Sequence, residues 1–466
     1  MLSSPLSGIN GVYVARMDYQ DVAERKLTKS TEMFWTPSPS QPNQGGLLGF
    51  LPFWYYAPGG FQFGNDDNTQ PIMDDPLLED NNVAEVVARF ENLIAQQIGF
   101  TAGEDVMIMM ASDFSGENAE TWYRNVDKLI HYVNLNGNIN VLYSTPSIYT
   151  SAKIATTPLP QRNEDVMPYF DDAHAVWSGY FSSRPALKHY IRDSSRVFQA
   201  SKQLQAFALP PVDMTLSNNP LVLLEKAMGV TQHHDAVSGT SKQHVAYDYA
   251  RMLAVARLSA DDLVTNALAK LTGYSGAPFV GCDLANVTIC PALEAGTPTI
   301  LLVYNQLSQT RTVHVKVPVG LPTGVKSWAV QNSTAGNVAS QLLSLTDTDS
   351  SLRSNYYAYK SNTPVQWLVF NAVNIPPMGY AVYFLQPSAT VHDEDNALFT
   401  SPKKTVRSAD TVLSNGLISL TFSASTGLIT TWSDGTFTEP FSQDFGWWNS
   451  STGNYHNDNT GDWGQR

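Results

Sequence analysis

The sequence is short of positive charge. Its 28 Lys and Arg face 42 Asp and Glu, a net charge of −14 over 466 residues. That balance argues against a nucleic-acid backbone or an anionic membrane surface as partner, and it suits an acidic compartment. No run of about 18 apolar residues occurs, so no helix is expected to span a bilayer. The opening MLSSPLSGIN lacks the basic and apolar regions of a secretory leader, and read literally it is not exported. Only two cysteines occur, Cys282 and Cys290, and they enclose GCDLANVTIC with the glycosylation sequon at Asn286. Further sequons start at Asn332 and Asn449. Taken together, the cysteines and sequons favour the secretory route, with a leader upstream of Met1.

What is present is globular: 43% of residues are hydrophobic and 15% charged. The length exceeds what one core holds, so two or three domains are expected. Over the first 150 residues, apolar runs alternate with helical patterns. GVYVARM (11–17), VMIMMAS (106–112) and NVLYSTP (140–146) read as buried strands. Between the last two, Ala119, Trp122, Tyr123, Val126, Leu129, Ile130 and Val133 recur at helical spacing. Strand, helix, strand predicts an α/β domain with a parallel sheet. Ligands bind beyond the carboxyl ends of such strands, where Arg16 and Asp113 fall.

From 165 to 272 the pattern is helical, with Val245, Tyr249, Met252, Ala256, Leu263, Ala267 and Leu271 forming an apolar stripe. Thr240 and Gln243 suit a capping box, and Gly239 suits the end of a helical segment at 220–236. After 273 the texture becomes antiparallel β, as in ILLVYN and QWLVFNAV. Val313, Val315 and Val317 alternate with polar residues, and so do Ile418, Leu420 and Phe422. SPKKTVRSAD (401–410) reads as a linker or long loop.

At the helix junction stands TQHHDAVSGT, residues 231–240. Neighbouring residues on a helix point about 100° apart, so His233 and His234 share one small site only if the helix ends there. A neutral imidazole is a good metal ligand, and Asp235 suits a metal or a sugar hydroxyl. The alternative is a terminal cluster in which His233 packs and Asp235 caps. No HExxH motif and no second close histidine pair appears among the nine histidines, so a complete metal site is not visible. The only HxD, His456 to Asp458, lies in a polar terminal segment. Asp113 follows an apolar run, where partial burial would raise its pKa toward a general-acid role; the alternative is an aspartate near a helix N-terminus. Trp177 in VWSGYFSSRPAL fits either a sugar platform or a core.

Five segments occur in order: VARMDYQD, ASDFSGENAETWYRNVDKLIHYVN, VWSGYFSSRPALKHY, QHHDAVSGTSKQHVAYDYARML and CDLANVTIC. In this the chain resembles the zinc-dependent retaining α-mannosidases of glycoside hydrolase family 38, especially the lysosomal members. The resemblance implies an α/β domain, a three-helix bundle and β-sandwich domains, here 1–160, 161–272 and 273–466. It implies Zn2+ with His234 as a ligand, Asp113 as general acid/base, and Arg16, Trp177 and Asp235 as substrate contacts. Tyr55, with Tyr56 as the alternative, matches a further sugar contact. It also implies a Cys282–Cys290 disulfide, glycosylation at Asn286, Asn332 and Asn449, mannose-containing N-glycan oligosaccharides as substrates, and a lysosomal or secretory location. A homo-oligomer of the full-length protein is compatible with it.

One departure counts against activity. The family's nucleophile sits in a DPFGH-like motif, and an earlier HxD supplies two more zinc ligands. This sequence contains neither, although a retaining glycosidase needs two carboxylates about 5 Å apart. The sequence reads as an internal fragment, inactive alone, whose last strands leave hydrophobic edges exposed. The competing expectation is a truncated pseudoenzyme that binds mannosides or a protein partner without catalysis.

Overall fold

The computed structural model describes residues 8–443, apart from 43, 65–68, 174, 212, 214, 217, 362 and 391–408. The HxD segment, Asn449 and most of 401–410 lie outside the described residues. Described residues up to Ser182 form one compact unit, and those from Ser183 onward form a second.

In the first unit, a four-stranded sheet runs in the order β1 (Gly11–Val14), β3 (Gly46–Phe50), β2 (Glu32–Trp35), β4 (Gln161–Arg162). β1 and β3 are parallel with Val12 opposite Leu48, β2 and β3 are antiparallel, and β2 and β4 are parallel. Met17, Met33, Trp35, Leu48, Phe50 and Val166 make its core. Helix α1 (Tyr19–Leu27) starts at Asp18, whose carboxylate accepts from the Gln20 and Asp21 N–H groups.

A second core lies between α2 (Val83–Phe100) and α3 (Ala119–Asn136). Val86, Phe90 and Ile94 recur every four residues on α2 and meet Trp122, Val126, Leu129 and Val133 of α3. The helical spacing read over 119–133 is therefore correct, with Tyr123 turned outward. Residues 106–112 and 140–145 are not strands, contrary to expectation. Val106, Ile108, Met110 and Val141 still pack against the α2–α3 core, so their apolar character is used. A strand needs a ladder of backbone partners as well as an apolar sequence, and among the described residues neither segment is paired in one. Helix α4 (Pro146–Thr156) follows, with Thr145 as N-cap and Pro146 in its first turn.

Residues 165–184 are not helical either. They form the hairpin β5 (Phe170–Asp172) with β6 (Ala175–Val176) and one 3-10 turn at Gly179–Phe181. Helical structure resumes in the second unit with α5 (Pro185–Ala208), α6 (Pro220–Thr231) and α7 (Gln243–Thr272), which pack as a three-helix bundle. The buried line on α7 runs through Ala246, Leu253, Ala256, Ala260, Leu263 and Ala267. It is shifted from the expected stripe, and Leu271 is exposed. Alanines let the helix axes approach closely, so small residues occupy the contact line and Val245, Tyr249 and Met252 sit at its margin.

Beyond the bundle, two antiparallel sheets face each other. One has the order β10 (Asn337–Val338), β9 (Ser327–Asn332), β13 (Gly379–Ser388), β7 (Thr299–Asn305); the other has β11 (Ser340–Ser344), β12 (Val365–Ile375), β8 (Arg311–Gly320). Val319, Trp328, Leu368, Phe370 and Leu385 fill the space between them. Val315 is buried as its alternation predicts, while Val313 near the strand start is exposed. A four-stranded meander follows, β14 (Thr411–Ser414), β15 (Ser419–Phe422), β16 (Ile429–Ser433) and β17 (Thr438–Pro440). None of its strand residues is fully buried, and Val412, Leu413, Leu417 and Phe437 are exposed. The fold is thus α/β plus a helix bundle plus antiparallel β-sheets.

Candidate functional site

The sequence-predicted site residues divide between the two units. In the first, alternation past β1 buries Ala15 and Met17 and turns Arg16 outward. The Arg16 guanidinium lies 4.6 Å from the centre of the Trp177 ring and 5.9 Å from that of Trp54. Trp177 is held by the hairpin: its N–H donates to the Tyr169 carbonyl at 2.8 Å, and its ring is 5.6 Å from the Tyr169 ring. Burial pushes the Tyr169 hydroxyl up to about 12, Asp171 adds to this, and Arg16 opposes it. Tyr55 sits edge-on to Trp54 at 5.7 Å, and both are partly exposed. Arg16, Tyr55 and Trp177 therefore come together, while Tyr56 is exposed beside them.

Asp113 opens the turn 113–118 before α3 and is exposed. The partial burial expected of it is not found, because the preceding 106–112 segment is half-buried rather than a core strand. The turn is fixed by Ser115, whose side chain accepts from the Ser112 N–H and donates to the Ser112 carbonyl at 2.8 Å. One bond ties this region to the aromatic loop, Ala57 N–H to Ala111 carbonyl at 2.6 Å.

In the second unit, α6 begins at Asn219, whose side chain accepts from the Leu221 N–H, and it ends at Thr231. That end is earlier than the expected 236. It meets the condition for both imidazoles to face one place. Beyond it the backbone folds through tight turns, with Ala236 N–H and Val237 N–H both donating to the His233 carbonyl. Gly239 has φ +77°, and a Cβ there would stand 2.5 Å from the Ser183 carbonyl oxygen, so only glycine fits. Lys188 of α5 donates to the Val237 and Ser238 carbonyls, and Arg184 donates to that of Gly239.

This turn holds the His233 and His234 rings 4.2 Å apart, their Nε2 atoms 3.5 and 3.9 Å from Asp235 Oδ2. The three ligand atoms lie within 4.8 Å of one another. His233 does not pack into the core, and Asp235 does not cap a helix. Instead Asp235 accepts from the Thr240 hydroxyl at 2.7 Å, which holds its carboxyl below the usual carboxylate range. The Thr240–Gln243 capping box is not formed either, because α7 starts after Lys242 without a side-chain cap. Thr240 is engaged by Asp235 and Gln243 by Arg184, so neither is left to cap.

Two imidazoles and a carboxylate are a donor set that zinc accepts, so the residues present fit such an ion. His233 was not singled out as a ligand, and its adjacency to His234 within a helical pattern hid it. Trp54 and Tyr169 stand beside Arg16 and Trp177 without any spacing signal in the sequence, although the run FWYY contains the first.

Cys282 and Cys290 form a disulfide. Within its loop Asn286 is exposed, whereas Thr288 is fully buried with its carbonyl accepting from Arg353. The Asn332 side chain accepts from the Thr334 hydroxyl at 2.8 Å and from the Gly336 N–H at 2.9 Å, which closes a surface turn. Among the described residues no helix is long and apolar enough to cross a membrane.

Comparison with known proteins matches three family domains along the chain. The N-terminal domain of glycosyl hydrolases family 38 matches residues 4–172, the α-mannosidase middle domain 175–271, and the lysosomal α-mannosidase-like central domain 338–385. An α-mannosidase of Arabidopsis thaliana is 38% identical over 81% of this chain and 38% of its own length. The lysosomal α-mannosidase of Cavia porcellus is 35% identical over 96% of this chain and 43% of its own. An α-mannosidase of Canavalia ensiformis is 33% identical over 96% and 46% respectively. The chain spans less than half the length of these curated relatives. With domains of one family following each other in order through the first 271 residues, the chain belongs to glycoside hydrolase family 38.

Proposed function

We propose that the protein to which these residues belong hydrolyses terminal α-D-mannose from N-glycan oligosaccharides with retention of configuration. The observation that carries this is the His233–His234–Asp235 cluster, an exposed donor set on a rigid turn within the family's middle-domain match. In this reading His234 holds Zn2+ and His233 stands close enough to join it. When bound, the ion would polarise sugar hydroxyls and lower the cost of ring distortion.

The remaining roles belong to side chains. Arg16 donates hydrogen bonds to a sugar hydroxyl, Trp177 and Tyr55 offer ring surface, and Asp235 accepts from a hydroxyl. Asp113 gives its proton to the departing glycosidic oxygen and then takes one from water. We further propose the division 1–160, 161–272 and 273–466, glycans on Asn286, Asn332 and Asn449, and a lysosomal or secretory location. The relatives named lysosomal α-mannosidases support that location.

The sequence of residues 1–466 holds no DPFGH-like motif, so this stretch alone is expected to bind mannosides without turning them over. The test is calorimetry with methyl α-mannoside, with and without zinc, beside an assay with an aryl α-mannoside. Zinc-dependent binding without turnover is expected. Turnover abolished by Asp113→Ala would overturn the inactivity, and no millimolar binding by the folded chain would overturn the mannoside reading.

A further inference from the structure

The Arg16 guanidinium lies within 6 Å of the ring centres of two indoles, of which Trp177 has a role in the reading above and the other has none. The other, Trp54, has a backbone φ of +72°, a left-handed conformation that a bulky aromatic residue rarely adopts. The chain nevertheless holds it there. The Trp54 N–H donates to the Leu51 carbonyl at 3.1 Å, and three residues on, the Ala57 N–H bonds Ala111. Trp54 is not kept for the core, since it is 36% exposed. Its ring is spent on Arg16 and on an edge contact with Tyr55.

A guanidinium packed against aromatic rings still has its N–H edge for hydrogen bonding. Among the described residues the Arg16 guanidinium makes no hydrogen bond or ion pair, so that edge is open to a ligand. We propose that Trp54 is a positioning residue: with Trp177 it clamps the Arg16 guanidinium and fixes the direction in which its N–H edge meets a hydroxyl of the mannoside. The substrate part of this rests on the α-mannoside reading; the clamp does not.

The test uses the whole 466-residue chain with 15N-labelled arginine, the Arg16 Nε–Hε signal being assigned by its loss in Arg16→Lys. In the wild type the two rings shift this signal upfield and slow rotation about the Nε–Cζ bond. Trp54→Gly removes one ring and also relieves the strained φ, because glycine takes +72° freely. The expected result is a signal moved toward that of free arginine and faster rotation, with a melting temperature at or above the wild type. Trp54→Phe keeps a ring and partly restores the signal. An Arg16 signal unchanged in Trp54→Gly overturns the clamp.

Calorimetry with methyl α-mannoside reads the substrate part. Affinity about fivefold weaker in Trp54→Gly, the scale of a partly desolvated cation–π contact, supports it. Equal affinity overturns it. A restrained Arg16 in a wild type that binds no mannoside overturns the mannoside reading and leaves the clamp supported.

Discussion

Glu32 with Lys153 in the first unit and His233, His234 with Asp235 in the second are built in opposite ways. Lys153 is fully buried and Glu32 nearly so, with the ammonium 2.8 Å from the carboxylate. Every arm is used. Lys153 also donates to the Ala102 and Asp105 carbonyls, while Glu32 accepts from Thr101 at 2.6 Å and from Tyr149. Burial first, then Glu32, pushes the Tyr149 hydroxyl well above its ordinary value, so it stays a donor. The His–His–Asp turn leaves its side chains 45%, 85% and 47% exposed, with hydrogen bonds spent on the backbone beneath them. A saturated polar cluster holds parts of a fold together. An unsaturated one on a rigid turn is available to a ligand.

Removing one partner tests the saturated cluster most severely. Lys153→Met leaves the Glu32 carboxylate buried without its counter-charge, and denaturant unfolding is expected to show a loss of about 3–5 kcal/mol. A loss below about 1 kcal/mol would put the pair on a level with a surface ion pair.

The open cluster should respond to metal instead. Zinc at 100 times its dissociation constant is expected to stabilise the wild type by about 2.7 kcal/mol, and His234→Ala should abolish that gain. Without zinc the same substitution should change stability by no more than about 0.5 kcal/mol, because the ring is exposed. A large metal-free loss would mean that the histidine serves the fold.

Asp261 is the intermediate case. Arg257 is shared by Asp193 at 2.7 Å and Asp283 at 3.4 Å, and burial, with Asp283 adding to it, pushes Asp261 up to about 6. A raised carboxyl pKa favours the protonated native state, so that stability is present in acid and is lost as pH rises through about 6. Asp261→Asn should therefore gain on the order of 1 kcal/mol over the wild type at pH 7.5, after discount for solvent screening, and match it at pH 4. Melting curves at the two pH values decide it, and an equal difference at both would remove Asp261 from this role. The smallest effect is expected from Thr240→Val, which frees Asp235 at about 0.5–1 kcal/mol. If zinc affinity also stays unchanged, Thr240 does not orient the carboxylate.

The sites differ in how much of them could be read in advance. Val315, Trp122 and Leu263 declare their burial by spacing alone, because a strand or helix presents one face at a fixed period. The segment 106–112 has the same apolar character and is not a strand, since a ladder depends on a neighbour that local spacing does not report. Lys153 looks like any surface lysine in PSIYTSAKIAT until the fold closes Glu32, 121 positions earlier, over it.

The sequence by itself determined the texture of the chain, a helix beginning at 220, the change from helix to strand after 273, the place of Arg16 just past the first strand, and the family to which it belongs. Those follow from short-range geometry and from ordered motifs. Tertiary structure decided that α6 stops at Thr231, so that two adjacent imidazoles face one carboxylate, and that Trp54 and Trp177 meet over Arg16. Arg16, Trp54 and Trp177 are distant in the chain, so their relative positions are set by packing rather than by any local pattern, and the turn after Thr231 is held by Arg184 and Lys188 at the start of another helix.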